Sequence, residues 1–463
     1  MSDNLYFSRD TKVLAFSDNT FWELPVLDGF SFSQATNATE VTLSEMDNAS
    51  TGSRRGRRIF NDSYAPAEWS FSTYVRPYKS VGTDAVGVLR AATGEYSSDP
   101  TAAHHHAVEE PMWASLAAGA AVTYASGTGN YSGNLVSDVN KLAIDFGSSN
   151  ASALKTFDLF FVLGAGSDDG SRAVTTATGA GGGVADADVV PITQRAGVAV
   201  GDVAVWTVAS VTRTAVVTAV SGAAGAGNIT LGDPATGIAS GTSITFSRQL
   251  AYKIENCVVN EAALDFEIDG IATIAWSGMG KIIKESAPPR ITALTGSEKY
   301  ISEGTLSTSN FIRNRLTTLA ITSTSPTTET YGATLTGGNI TISNNITFLT
   351  PETLGSVNQP LAHVTGSRTV GGNFTCYLNT GDDGSADLFQ DLLDATTTVT
   401  NNFSLIFTIG GATAPNLTLT MPTCHLELPA HSIDDVISVD TTFSALPSTI
   451  SGTNEVTVEY KGA

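Results

Sequence analysis

Trp69-Ser-Phe-Ser-Thr-Tyr-Val75 and Asn373-Phe-Thr-Cys-Tyr-Leu378 are one strand plan written twice, about 300 residues apart. Phe71 matches Phe374, Tyr74 matches Tyr377 and Val75 matches Leu378. Two further matches follow in the same order. Phe157-Asp-Leu-Phe-Phe-Val-Leu-Gly164 aligns with Phe403-Ser-Leu-Ile-Phe-Thr-Ile-Gly410. Cys257 with Ile268-Asp-Gly-Ile271 aligns with Cys424 with Ile433-Asp-Asp-Val436. Three ordered matches predict a duplicated β domain, a natural route to a ring in which fewer chains fill more equivalent positions.

The elements around these anchors agree. Phe30 to Ser33 and Thr39 to Leu43 alternate apolar and polar residues, as half-buried strands do. Trp69 to Val75 is the next strand, closed by Pro77. Pro111 to Ala117 reads as a short helix with Met112, Trp113 and Leu116 on one stripe, followed by strands at Ile144 to Phe146 and Phe157 to Leu163. In the second half the strands are Asn339 to Ser343, Phe374 to Leu378, Phe403 to Ile409, Leu417 to Met421 and a closing strand from Ile433 to Phe443. A short helix from Ser385 to Leu393 sits among them, with Ser385 as N-cap.

One segment breaks the symmetry. Phe403 to Cys424 spans 21 positions and Phe157 to Cys257 spans 100, so an excess of about 79 falls near residues 166–248. It opens on Gly-rich stretches, through Gly179-Ala-Gly-Gly-Gly183, that read as a flexible linker. Four short strands follow: Asp202 to Val208, Thr214 to Val220, Asn228 to Leu231 and Ser243 to Ser247. The fold class is therefore mainly β, with two tandem sandwich or barrel modules, short flanking helices and a small inserted all-β domain. Module 1 covers 1–165 and 249–300, the insert 166–248, and module 2 301–463.

Composition limits function. The 463-residue chain holds 24 basic and 45 acidic residues, net −21, which argues against a protein built to grip nucleic acid. Only 15% of residues are charged, a hint that neighbouring subunits cover much of the surface. Three cysteines imply no disulfide framework. The Met1-Ser-Asp-Asn4 start has no basic or apolar leader, and no run reaches the ~18 apolar residues of a membrane helix. A soluble chain not exported by a standard signal is expected.

Catalytic constellations are poor. His104-His105-His106 lacks the i, i+4 spacing of helical metal ligands and reads as a polar loop. Asp168-Asp169-Gly170 and Asp382-Asp383-Gly384 lack the alternating acids and distal Glu of a calcium loop and read as turns. No nucleophile elbow, phosphate loop or GxGxxG opening a helix is present. Cys257 and Cys424 hold matching apolar positions, which favours packing over reactivity. No cofactor or metal is expected. An enzyme reading would need a metal on His104 or His106 with Glu109 and Glu110. Residues 44–64 form a long polar loop carrying Arg54, Arg55, Arg57 and Arg58. A solvated loop, a nucleic-acid contact and a subunit contact all fit it. The subunit contact is preferred, because guanidinium forks bind carboxylates and the chain is rich in acids; Asp62 and Glu68 are the candidate partners in the same stretch.

Ser33 to Glu45, Arg57 to Ser63 and Ala67 to Val75 together resemble the tail tube protein of long-tailed siphophages, in its duplicated, trimeric type. Asp269 to Gly278 and Asn344 to Pro351 are also similar to that family. The resemblance covers roughly 25–165 and 249–460 and excludes the insert. It implies β sandwiches with a flanking helix, whose inner strands close a barrel around a lumen, in rings that stack into a tube. Three two-module chains would make a pseudo-hexameric ring of charge 3 × −21 = −63, an acidic lumen that DNA slides through unbound. The loop at 44–64 would reach a neighbour or the adjoining ring. Some members carry a C-terminal immunoglobulin-like domain. Only about twenty residues follow the closing strand here, and the insert would take that decorating role on the tube exterior.

The expectation is thus a structural virion protein with no enzymatic activity, assembled in the host cytoplasm into the phage tail. Its partners would be itself as a homotrimer in stacked rings, tail initiator and terminator proteins, a tape measure protein and transiting genomic DNA, with no membrane. The alternative is a β-rich receptor-binding or adhesin component of a tail. That reading leaves the matching strand order unexplained, and 8% aromatics is low for sugar platforms.

Overall fold

The computed structural model describes residues 8, 11–42, 57–79, 89–91, 96–97, 105–125, 130–131, 134–146, 153–164, 173–178, 189–208, 211–232, 237–248, 250–286, 289, 299–301, 310–323, 328–354, 356–394, 403–433 and 436–463. The first half contributes β1 (Lys12–Ser17), β2 (Thr20–Leu24), β3 (Ser31–Thr42), β4 (Arg57–Tyr74), α1 (Glu110–Ala117), β5 (Leu142–Asp145), β6 (Phe157–Leu163), β7 (Leu250–Glu267) and β8 (Thr273–Gly280). The second contributes β9 (Thr318–Ser323), β10 (Glu329–Ala333), β11 (Leu335–Ser343), β12 (Thr369–Tyr377), α2 (Ser385–Asp394), β13 (Phe403–Ile409), β14 (Asn416–Leu426), β15 (Ala430–Ile433), β16 (Ile437–Ala445) and β17 (Thr457–Lys461).

Strand pairing repeats between the halves. In the first, β6 pairs with β1 and β7, β1 with β2, β8 with β7 and β4, and β4 with β3. In the second, β13 pairs with β9 and β14, β9 with β10, β16 with β14 and β12, and β12 with β11. Register repeats as well. Phe157 lies opposite Cys257 and Phe403 opposite Cys424, each beside a β-bulge one step on. Ala67 faces Gly280 and Val370 faces Ala445, so four residues later Phe71 and Phe374 hold matching places. The two sets meet edge to edge, where Glu261 to Glu267 of β7 pairs antiparallel with Gly337 to Ser343 of β11.

A single core runs through both halves, and alternation builds it. Trp69, Phe71, Ala262, Leu264, Ile340, Phe374 and Phe443 point into it from successive strands. Gly278 allows one close approach. A Cβ there would collide with the Val258 carbonyl and the Trp69 ring. Residues 173–248 gather a separate core around Trp206, Val217, Ile229 and Phe246. Its six-stranded sheet runs Ala173–Thr176, Ser243–Arg248, Asp202–Val208, Val211–Ala223, Ala226–Leu231 and Val189–Ile192.

Several sequence expectations need correction. Residues 57–64, read as loop, are strand, because they pair across to 36–42 and extend β3 and β4 into a long arm. Ala173–Thr176, inside the expected linker, is held as strand by pairing with Ser243 to Phe246. The closing strand expected from Ile433 to Phe443 is a hairpin of β15 and β16. A further strand follows it: β17 pairs with β14 and returns to β5 in the first half. His105 and His106 lie in a short buried strand paired with Pro77 to Lys79, not in a polar loop, and His104 lies outside the described residues. The turn expected at Asp382 to Gly384 is present, with Asp383 at positive φ; its counterpart at Asp168 to Gly170 lies outside the described residues.

Candidate functional site: a cation-free sheet face and its arm

Strands β3, β4, β8, β7, β11, β12 and β16 form one continuous sheet. Because side chains alternate, the residues that do not face the core share the opposite surface. Ser31, Ser33, Ser70, Ser277, Asn339, Thr341, Asn373 and Thr375 make it polar and small. Short of the arm formed by the outer parts of β3 and β4, its charged members are Glu68, Glu261, Asp265, Glu267 and Asp440. Register confirms that they share this side: Glu68 faces Met279, Glu261 faces Ser277 and Ser343, and Asp265 faces Thr273 and Asn339. Thr375 donates a hydrogen bond to Asp440 at 3.2 Å. No lysine or arginine occurs in the segments 31–34, 67–74, 258–267, 273–280, 335–343, 369–377 and 437–445. A polyanion laid along this surface finds carboxylates and no counter-charge.

Sequence reasoning missed four of these acids. A signal was available in Glu261-Ala-Ala-Leu-Asp-Phe-Glu267, where Asp265 and Glu267 alternate with buried Leu264 and Phe266. It was obscured because the strand's length and its second partner, β11, are not visible in the chain.

The arm lies at one end of this sheet. Arg57 and Arg58 are exposed near its outer end, and Arg57 meets Glu40 at 3.5 Å, an exposed pair of little energetic weight. Asp62 sits midway along the arm, its carboxylate accepting a hydrogen bond from Thr39. The arm rests on the second half: Tyr64 N–H donates to Asn358 C=O at 2.9 Å, and Asn358 N–H donates to Asp62 C=O at 3.1 Å. Val41, Ile59 and Phe60 on the arm, with Leu354 and Leu361 nearby in sequence to Asn358, are exposed. The structure thus brings Arg57, Arg58 and Asp62 along one arm and places Glu68 on the polar face; Arg54 and Arg55 lie outside the described residues.

The enzyme-like cluster is buried. Glu109 and Glu110 are fully enclosed beside α1. Tyr460 of β17 donates to Glu109 at 2.7 Å and accepts from Trp113 Nε1 at 2.7 Å. His106 Nδ1 lies 3.0 Å from Glu110, and Gly462 N–H donates to His105 Nδ1 at 2.8 Å. Burial pushes Glu109 up to about 7 against the hydrogen bond from Tyr460, raises Glu110 against the pull of His106, and lifts the Tyr460 phenol well above its ordinary value. These groups fasten the last strand to the first half. Among the described residues no three His, Cys, Asp or Glu side chains are placed to hold a metal ion, and no helix is long and apolar enough to cross a membrane.

No protein-family model matches the chain. Among curated proteins it is similar to the tail tube protein pb6 of Escherichia phage T5, with 25% identity over 440 residues that cover 94% of this chain and 69% of that protein. The resemblance to tail tube proteins carried by short motifs in both halves therefore extends along nearly the whole chain.

Proposed function

We propose that this chain is a structural subunit of a siphophage tail, a tail tube protein without catalytic activity. The observation that carries the reading is the continuous polar sheet face whose charged side chains, short of the arm, are all acids. In a tube this face lines the lumen, and its carboxylates keep the DNA backbone from adhering. Residues 1–165 with 249–300 and residues 301–463 act as two quasi-equivalent modules, so three chains close a pseudo-hexameric ring. The repeated pairing and register support this. The insert, with a core of its own, projects outward, where it obstructs neither lumen nor stacking.

Rings stack through the arm. Arg57, Arg58 and Asp62 on the arm, together with Arg54 and Arg55, which precede it in the chain, meet the opposite end of the next ring, where Asp269, Asp382 and Asp383 follow the far ends of β7 and β12. Glu68 stays on the lumen side. Tail initiator, terminator and tape measure proteins are the other partners, the virion tail is the location, and DNA passes through at ejection. Negative-stain electron microscopy of the purified protein with mass photometry tests this. Hollow tubes or stacked rings in multiples of three chains are expected; discrete trimers without a channel overturn it.

A further inference from the structure

Two histidines stand where the halves of the chain meet, and both act there as hydrogen-bond acceptors. Gly462, just past β17, donates its N–H to His105 Nδ1 at 2.8 Å. Leu154, just ahead of β6, donates its N–H to His363 Nε2 at 2.9 Å. The contacts are reciprocal: the second half supplies the donor in the first and the ring in the second. A backbone N–H can only donate, so each ring presents a lone pair and is neutral.

Both bonds close around α1. His105 lies in the short strand His105–Ala107 that leads into the helix. Leu154 is bridged to Gly119, two residues beyond the helix end. The second half also holds the helix directly, through Tyr460 on Trp113 Nε1 at 2.7 Å and Asn344 Nδ2 on the Leu116 carbonyl at 2.9 Å. Every residue of α1 is buried. We infer that His105 and His363 form an acid-sensitive latch: protonating either ring sets a donor against a donor, and the second half loosens its hold on α1. The paired segments of the β7–β11 junction contain no histidine and stay joined through the same change. This inference stands apart from the ring reading.

The groups around each ring set its response. His363 sits on the hairpin of Thr347–Leu349 and Ala362–Val364, in which no other residue titrates, beside Phe348 at 5.8 Å. Glu352 lies on the exposed loop between those strands, and Asp62 and Tyr64 of the arm meet that loop at Asn358. Lys155, next to Leu154, is engaged by Asp18 at 2.7 Å. Burial lowers the pKa of His363 from 6.5. The latched ring therefore takes up a proton less readily than the released one, and this contact weakens as pH falls below 6.5. The segments packed near His105 bring His106, Glu109 and Glu110 from its own stretch, and Arg76 and Tyr78 with Lys79 opposite in register. They also bring Asp138 and Lys141 from the neighbouring turn, and Glu459, Tyr460 and Lys461 from β17. Glu109 works in the opposite sense, because folding favours its proton.

Hydrogen exchange with mass spectrometry on the full chain tests the latch, at about pH 7.5 and about pH 5.5, with rates corrected for the chemical dependence of exchange on pH. In acid, the peptides holding Leu154 and Gly462 should lose protection relative to those of the β7–β11 junction, approaching about tenfold per ring. His363→Gln and His105→Asn place an amide oxygen where each lone pair stood and do not titrate, so each should keep its own segment protected at both pH values. Glu109 is common to parent and variants, so its titration cancels between them. Unchanged protection of both segments in the parent overturns the latch, whether or not the variants fold. So does a loss that is equal in the variants, or one that spreads equally to the β7–β11 peptides, which marks general acid unfolding.

Discussion

Of the two enclosed carboxyls in the clasp between α1 and β17, Glu109 is the one held by Tyr460, and changing it to Gln isolates its ionisation from that of Glu110. The side chain is fully enclosed, Tyr460 donates to Oε1, and Oε2 has no hydrogen-bond partner, an arrangement that favours the protonated acid. Burial raises its pKa from 4.5 to about 7, with Arg76 pulling it down and Glu110 pushing it up. The folded chain therefore holds this proton more tightly than the unfolded chain. The associated stability is fully present below pH 4.5. It declines as the unfolded chain ionises, and the loss levels off above about pH 7. A shift of that size corresponds to about 3 kcal/mol. Glutamine keeps an oxygen for Tyr460 and removes the titration. Urea unfolding followed by tryptophan fluorescence, in steps from acid to mildly alkaline pH, is the assay. Glu109→Gln should match the parent in acid and exceed it by roughly 2–3 kcal/mol in mild alkali. Parallel pH profiles for the two proteins would refute the reasoning, because titrations elsewhere cancel in the difference.

Other substitutions test the core and the face. Gly278→Val forces a side chain into the Trp69 ring and the Val258 carbonyl and should cost roughly 3 kcal/mol or more, read as a lower unfolding midpoint. Trp113→Phe removes the indole donor to Tyr460 and should cost about 1–3 kcal/mol by the same measurement. Burial pushes the thiols of Cys376 and Cys424 up to about 11 and about 12, so a thiol reagent at pH 8 should label neither until the chain unfolds. If the polar face lines a lumen, replacing Glu68, Asp265 and Asp440 by lysine should make the protein retain more double-stranded DNA than the parent does. Co-sedimentation should then weaken with salt at a log–log slope of about −0.9 per phosphate engaged.

The sequence disclosed what alternation and repetition encode. Phe71 and Phe374, and Phe157–Cys257 and Phe403–Cys424, were aligned from residue types alone, and their pairing partners repeat in register. The short helices were visible because stripes such as Leu388, Phe389 and Leu392 have helical spacing. Long-range pairing was not visible. Residues 57–64 are polar and charged and become strand only because 36–42 lie alongside. β17 is a five-residue segment whose partners, β5 and β14, lie far apart in the chain. His105 and His106 read as polar because nothing local announces that Gly462 and Glu110 will enclose them. The acidic face was hidden for a related reason. Its acids come from β4, β7 and β16, and only the sheet order places them on one surface.

The same topology leaves sheet edges that a chain with so few charges must keep from pairing indiscriminately. A sheet of eight strands, from β3 to β15, exposes two edges, and exposed edges pair indiscriminately unless blunted by charge, proline or closure. β3 and β15 are not blunted in that way along Ser31 to Gln34 and Ala430 to Ile433, where no charged residue occurs. Pro429 precedes β15, and the charges of β3 and β4 lie farther out along the arm. What protects these edges is specificity of register. Ser33 lies on the polar side and Phe32 packs toward the core, so a strand added one residue out of register would set its side chains on the wrong faces. The internal β7–β11 junction satisfies that rule within the chain, with Leu264 and Ile340 enclosed and Asp265 and Asn339 on the polar side.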